Sequence, residues 1–206
     1  MRMNYQKILD ETLREISTAK VPRLLLHSCC GPCSSYVLEY LSCYFNITIL
    51  YYNPNIWPTE EFLKRADTQR QLIAGITYQN PVRLVVAEYR PEEFDAVAVG
   101  FESEPEGGKR CLKCFALRLD EAARYAKAYG FDWFTTTLSV SPHKDAEALN
   151  TIGRELEEKI GVKYLYADFK KRNGYKRSTE LSKEFGLYRQ DYCGCRYSLN
   201  RPNGGY

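Results

Sequence analysis

Five short stretches, residues 23–28, 47–53, 82–89, 134–140 and 163–169, are nearly continuous in apolar side chains. Runs of that length without polar alternation read as strands covered on both faces. Between them apolar positions recur at three and four residues, the spacing of helices with one buried stripe. Alternation of the two patterns predicts an α/β fold: a parallel, five-stranded, doubly wound sheet with helices on both faces. Ser141 and Pro142 read as N-cap and first position of a helix running to Gly161, and further helices are predicted to end at Gly130 and Gly186.

In an open parallel sheet the ligand lies beyond the carboxyl ends of the strands, where the strand order reverses. The segments expected at that edge are residues 27–34, 51–58, the loop before Cys111, and 137–144. Residues 101–110 are acidic, glycine-rich and unpatterned, which predicts a mobile loop of the kind that serves as a lid. The tail from Ser198 carries no core signal and is predicted to be poorly ordered. The first 18 residues follow an amphipathic helical pattern rather than that of a signal peptide. No segment approaches the ~18 uninterrupted apolar residues of a membrane span. Both observations lead to an expected cytoplasmic protein with no membrane partner.

The 206 residues, 44% of them hydrophobic, suffice for one α/β core, so residues 1–206 are expected to form a single catalytic domain. Net charge is only +3, but residues 163–206 hold ten basic and four acidic side chains. This basic C-terminal segment, part of the same domain, is densest at 169–177, where aromatics alternate with cations. Lys170, Lys171 and Arg172 are therefore candidate phosphate contacts, a solvated loop being the plainer alternative. Seventeen tyrosines could stack on unpaired bases or simply fill core and rim.

The eight cysteines change the picture most, since structural disulfides are rare in the cytoplasm and thiols there point to metal ligation or redox work. Cys29, Cys30 and Cys33 lie in a strand-to-helix turn, with the helix expected to begin near Ser34. Free N–H groups there stabilise thiolates or an anionic cluster as they would a phosphate. Cys111 and Cys114 fall in the first turn of another helix beside Arg110. Cys193 and Cys195 flank Gly194, and a disulfide across one residue is strained and so cycles readily; Arg196 alongside favours the thiolate. Cys43 falls in an amphipathic helix and reads as packing.

Three thiol groups on separate βα units do not resemble the paired knuckles of a small zinc module. Four thiolates on an iron–sulfur cluster with two left for redox chemistry is one reading, and zinc held by the same four is another. His27, at the end of a buried strand, reads as a hydrogen-bonded core residue, whereas His143 at the site edge is the better candidate acid, a solvent-facing role being the alternative. Asn53 and Asn55 flank Pro54 as turn residues placed to bind a polar substrate, and Ser139 and Ser141 join them as candidate substrate contacts.

Taken in order, the motifs HSCCGPCS, YYNPNI, RCLKC followed by RL, FTTTLSVSP and YCGCRYS, spanning His27 to Ser198, resemble the cobalamin-independent epoxyqueuosine reductases of the QueH family. One departure is Gly31, where alanine is common, a change expected to matter little. The resemblance implies a Rossmann-like, adenine-nucleotide-hydrolase-like sheet. It also implies a 4Fe-4S cluster on Cys29, Cys30, Cys111 and Cys114, and a redox-active pair in Cys193 and Cys195. The implied substrate is tRNA carrying epoxyqueuosine at the wobble position, reduced to queuosine with electrons from a donor. Removing an epoxide oxygen takes two electrons, two protons and a group to polarise the oxygen. Cys33, left over by a four-cysteine cluster, with Asp191 or Asp168 could hold an additional mononuclear iron or other metal; His143 or Tyr192 could deliver protons.

Three rivals differ in visible ways. An ATP-dependent tRNA-modifying enzyme of the same architecture would need glycines and a Ser/Thr pattern that CCGPCS lacks. A zinc-stabilised RNA-binding module would be colourless. A plain thiol-disulfide oxidoreductase would use Cys193 and Cys195 and leave the other site thiols without a role.

Overall fold

The computed structural model describes residues 3–16 and 20–199. Its strands β1 (Arg23–His27), β2 (Asn46–Tyr51), β3 (Val82–Val86), β4 (Trp133–Thr136) and β5 (Lys163–Tyr164) form one sheet in the order β3-β2-β1-β4-β5, every adjacent pair parallel. Helices α1 (Tyr5–Glu15), α2 (Gly31–Leu41), α3 (Thr59–Gly75), α4 (Pro91–Ala98), α5 (Lys109–Ala128), α6 (Ala146–Ile160) and α7 (Gly174–Glu184) connect or flank the strands. The expected doubly wound sheet is present. Leu24 and Leu26 point to one face, against Leu9 and Leu13 of α1, Val37 and Leu38 of α2 and Leu72 of α3. Leu25 points to the other, against Leu119 and Ala122 of α5 and Leu149 of α6. With both faces covered, each central-strand leucine leaves water completely, a gain of about 1.5–3 kcal/mol apiece.

Several element boundaries differ from the sequence expectation, each for a local reason. The last apolar run forms only two residues of strand. Beyond it Asn150 takes over the pairing: its Oδ1 accepts from the Ala167 amide at 3.0 Å and its Nδ2 donates to the Ala167 carbonyl at 2.9 Å. β4 stops at Thr136 because the Thr136 hydroxyl accepts from the Leu138 amide at 3.2 Å and turns the chain into a 3₁₀ turn, Thr137–Val140. The following helix starts at Ala146 rather than Pro142, because the Asp145 carboxylate caps the Glu147 and Ala148 amides. α2 starts at Gly31, three residues before Ser34, so Cys33 sits inside its first turn. α7 begins at Gly174. Cys43 lies exposed just past α2 and does not pack in the core.

Gly31 matters in this chain. A Cβ there would stand 2.9 Å from the Thr68 carbonyl oxygen and 2.8 Å from its Cγ2, so α2 and α3 approach too closely for alanine without a shift. Segment 101–110 is also tied down: Arg110, 2% exposed, donates through Nη1 to the carbonyls of Phe101, Glu102 and Glu104. The expectation of a disordered tail falls, for residues 200–206, outside the described residues, but Ser198 is buried in a 3₁₀ turn. Among the described residues no helix is long and apolar enough to cross a membrane.

The strand order reverses between β1 and β4. The carboxyl ends of those two strands lead into the Cys29–Cys33 turn and the 137–144 segment, and that is where the chemistry collects.

Candidate metal and thiol centre

Cys30 is the N-cap residue of α2, and the Sγ atoms of Cys29, Cys30 and Cys33 lie within 4.8 Å of one another. The turn is held by a buried hydroxyl pair, Ser28 with Ser34 at 2.6 Å, clamped from α3 by Gln69 Nε2 at 2.6 Å from Ser34 Oγ. His27, at the end of β1, is fully buried between the Thr136 hydroxyl (2.9 Å) and the Tyr52 carbonyl (3.1 Å). Burial, reinforced by the nearby Arg118 charge, lowers it to about 3, so it is a neutral packing residue as expected. Thiol hydrogen bonds from Cys30 and Cys33, opposed by burial and helped by Arg118 and Arg65, hold Cys29 well below the usual thiol range. Burial and the neighbouring Cys29 sulfur push Cys30 up to about 12, and thiol hydrogen bonds with Burial behind them raise Cys33 too. The triad thus favours a thiolate at Cys29, the form that binds a cation or a cationic cluster core.

Two buried guanidinium groups escaped the sequence reading. Arg118, 2% exposed on α5, donates from Nη1 to Asn53 Oδ1 at 3.3 Å and from Nε to the Cys114 carbonyl at 3.3 Å. Its charge acts on Cys114, Cys29, Cys193 and Cys111, joining thiols from all three motifs. Arg118 follows Cys111 and Cys114 at helical spacings of seven and four, so the three share a face of α5; that spacing was the available signal. Arg65 of α3 is 1% exposed, bonded to Glu61 at 2.6 Å, and donates to the Cys193 carbonyl at 3.2 Å and the Tyr192 carbonyl at 3.3 Å. Cys111 packs against the core cluster that contains Cys29 and Cys30, and its Sγ accepts from the Gly107 amide at 3.2 Å. Cys114 is buried, and burial pushes its thiol up to about 11 against the pull of Arg118.

The Cys193–Cys195 segment is bolted in place from beneath. Besides Arg65, the Trp57 amide donates to the Gly194 carbonyl at 2.8 Å. Gly194 has φ +101°, and a Cβ there would meet Arg65 Nη1 and Ile56 Cγ1 at 3.0 Å each, so the position needs glycine for conformation and space. Cys193 lines a cavity with Cys29, Cys33, Arg118, Ser141 and Lys144. Cys195 turns away from it into a cluster with Phe94, Ala98 and Cys114, where burial pushes its thiol up to about 12. Arg196, expected to assist the pair, instead forms an ion pair with Asp95 at 3.1 Å; the cation on Cys193 is Lys144, 3.0 Å away.

Other candidates are placed elsewhere. His143 is exposed and does not line the cavity. The Tyr192 hydroxyl is engaged with the Trp57 carbonyl at 2.6 Å, which leaves it serving the loop rather than a substrate. Asp191 is exposed, and Asp168 binds Lys170 at 2.9 Å beside α1, so neither carboxylate joins the thiol triad. Asn53 is spent on Arg118 and on the Ser28 carbonyl (2.8 Å); Asn55 is buried outside the cavity. Ser139 accepts from the Phe169 amide, whereas Ser141 does reach the cavity wall. Lys171 is exposed, but Arg172 is paired with Asp10 at 2.5 Å, so the basic run lies along α1, in a different depression from the thiols.

Fold and site together define a doubly wound α/β protein with a candidate thiol-built metal site at the switch point of its sheet. Residues 24–201 match the family model described as epoxyqueuosine reductase QueH. The chain is 40% identical over 200 residues to the epoxyqueuosine reductase QueH of Streptococcus pyogenes serotype M1, covering 96% of this chain and 78% of that one. It is 36% identical over 183 residues to that of Thermotoga maritima, covering 85% and 90%. The chain belongs to the epoxyqueuosine reductase QueH family, a family of oxidoreductases. Among solved structures, the U34-tRNA thiolase NcsA from Methanococcus maripaludis, determined with its 4Fe-4S cluster, matches with a TM-score of 0.55 over 94% of this chain and 68% of that one. At 14% identity that similarity is one of fold.

Proposed function

We propose that the chain reduces epoxyqueuosine in tRNA to queuosine, using a 4Fe-4S cluster on Cys29, Cys30, Cys111 and Cys114 and a redox pair in Cys193 and Cys195. The carrying observation is that Cys29, Cys33 and Cys193 line one cavity with Arg118, whose Nε donates to the Cys114 carbonyl, so segments far apart in the chain meet there. The residues suit the cluster: all donors are soft sulfurs, and the buried Arg118 and Arg65 offset the negative charge that four thiolates bring. A bound cluster would supply electrons singly.

The remaining work falls to protein groups. Opening the epoxide to an alkene consumes two electrons and two protons and releases water, and a dithiol holds two of each. Cys193 stands at the cavity wall where a substrate would meet it, and Cys195 lies one residue behind with Gly194 permitting the turn. Arg118, fixed by Asn53, presents a cation to the same cavity and can hold a developing oxyanion. The basic segment 163–206 acts within the same catalytic domain: α7 contributes Tyr175 and Ser178 to the cavity wall, and the cysteine pair is anchored on α3. Lys171 is the member of the 170–172 run best placed to meet tRNA phosphate.

The test is anaerobic purification with iron and sulfide measured on one sample, followed by turnover of epoxyqueuosine tRNA. Four irons and four sulfides per chain with queuosine formed support the reading. Zinc without iron, after anaerobic reconstitution, overturns the cluster. Iron above four assigns an extra ion to Cys33, with its further ligands drawn from outside Asp168 and Asp191.

A further inference from the structure

Lys144 is a buried ammonium for which the reading above has no use. Its Nζ lies 3.0 Å from Cys193 Sγ and 3.1 Å from Glu106 Oε1, with the side chain only 6% exposed. A lysine withdrawn from water this far persists only with partners that repay its desolvation. Burial draws it toward the neutral amine, but the attraction of Cys193 and Glu106 outweighs burial and raises Lys144 above its ordinary value. Glu106 comes from the segment that Arg110 pins, so the triplet Glu106, Lys144, Cys193 is assembled from three separate stretches of chain. Other charged or titratable groups around it include Cys114 and Arg118 from α5, Cys195 from the tail, and Cys29, Cys33, Tyr175 and Arg189 on the same cavity wall. The two sulfurs of the pair are therefore unequal. One faces the cavity and an ammonium; the other is buried among Phe94, Ala98 and Cys114.

We propose that Lys144 is the proton carrier of the Cys193–Cys195 pair and that Cys193 is its reactive sulfur. The proposal rests on reading these two cysteines as a redox pair. Lys144 Nζ, 3.0 Å from Cys193 Sγ, is placed to take the proton that Cys193 gives up as it reacts. When the S–S bond forms, the two sulfurs lose two electrons, Cys195 gives up its proton and the Lys144 ammonium gives up another. The epoxide takes up both electrons and both protons, its two C–O bonds break, the carbons become an alkene and the oxygen leaves as water. A dithiol reductant resets the pair by returning two electrons and two protons, one of them to Lys144. Glu106, 3.1 Å from Lys144 Nζ, keeps the side chain in place throughout.

The experiment is iodoacetamide labelling of the anaerobically purified, reduced full chain, with Cys193 and Cys195 read separately by peptide mass spectrometry between pH 6 and 9. Cys193 is expected to label at least about tenfold faster than Cys195 near pH 7. Lys144→Met is expected to slow Cys193 about tenfold at pH 7, the deficit shrinking as pH rises and thiols ionise unaided, while Lys144→Arg keeps most of the rate. An unchanged Cys193 rate and pH profile in Lys144→Met, or faster labelling of Cys195, overturns the proposal. Lys144→Arg guards against misfolding of the first variant: it keeps a cation at Cys193, so a Cys193 rate as low as that of Lys144→Met overturns the proposal. Diamide oxidation of the wild-type chain checks the pair itself, through a Cys193–Cys195 crosslink 2 Da lighter. Absence of the crosslink removes the redox pair and with it the role of Lys144; a crosslink with labelling independent of Lys144 overturns Lys144 alone.

Discussion

Arg118 shows how much one side chain can decide. It is the buried cation bonded to the Cys114 carbonyl and lining the cavity of Cys29, Cys33 and Cys193, so replacing it removes the cation next to any thiolate held there. With the proposed cluster bound, Arg118→Met is expected to lose most of the iron on desalting and to unfold at lower temperature, the loss of one partner from a buried charge set costing about 3–5 kcal/mol; iron per chain and the melting midpoint check this. Arg118→Lys should retain part of the iron, since it keeps the charge but not the fork that spans Asn53 and the Cys114 carbonyl. Gly31→Ala is expected to destabilise by about 1–3 kcal/mol through the contact with Thr68, read from the urea midpoint. Truncating Thr68 as well should recover only part, because the backbone oxygen stays in the way. The cysteines themselves were legible in the sequence because thiols are rare enough to stand out by type. Arg65 and Lys144 were not, because what distinguishes a buried cation from a surface one is its partners, and these come from other parts of the chain; Arg118 was signalled only by its helical spacing after Cys111 and Cys114.

Among the elements, the Cys193–Cys195 turn depends most on its supports. Gly194→Ala combines a positive φ with a contact to Arg65, so it should cost about 1–3 kcal/mol and slow diamide-induced crosslinking of the pair, measured by mass. The 170–172 run behaves differently from a free basic patch. Lys170 and Arg172 already neutralise Asp168 and Asp10, so Lys171→Ala should reduce the slope of log affinity for tRNA against log salt by about 0.7–0.9, and Lys170→Ala by clearly less. Equal changes for the two variants would show that tRNA displaces the internal ion pairs. Strand positions could be read from apolar runs, but strand lengths could not. Thr136 and Asn150 replace backbone pairing with side-chain hydrogen bonds, and a hydroxyl or amide that will do so looks the same in sequence as one that will not.

At the scale of the whole molecule, the alternation of apolar runs and helical stripes was enough to anticipate a parallel doubly wound sheet, because covering both faces leaves few other arrangements. It also placed the site at the strand ends near the reversal of strand order. What it could not supply was the sorting of candidates between one cavity and another depression beside α1. The strand order has a consequence for how the protein is made. β1 pairs with β2 almost as soon as both exist, but its other neighbour, β4, is distant: His27 and Thr136, hydrogen-bonded in the finished sheet, are 109 residues apart. At the ~5–20 residues per second of translation, that gap is about 5 to 20 s. For most of that time a nascent half-sheet carries the Cys29, Cys30 and Cys33 turn beside an open strand edge; Cys111, Cys114 and Arg118 follow only shortly before β4, and Cys193 and Cys195 after it. A cluster held by Cys29, Cys30, Cys111 and Cys114, as proposed, therefore has its full set of ligands only late in synthesis, long after its first two thiols are made.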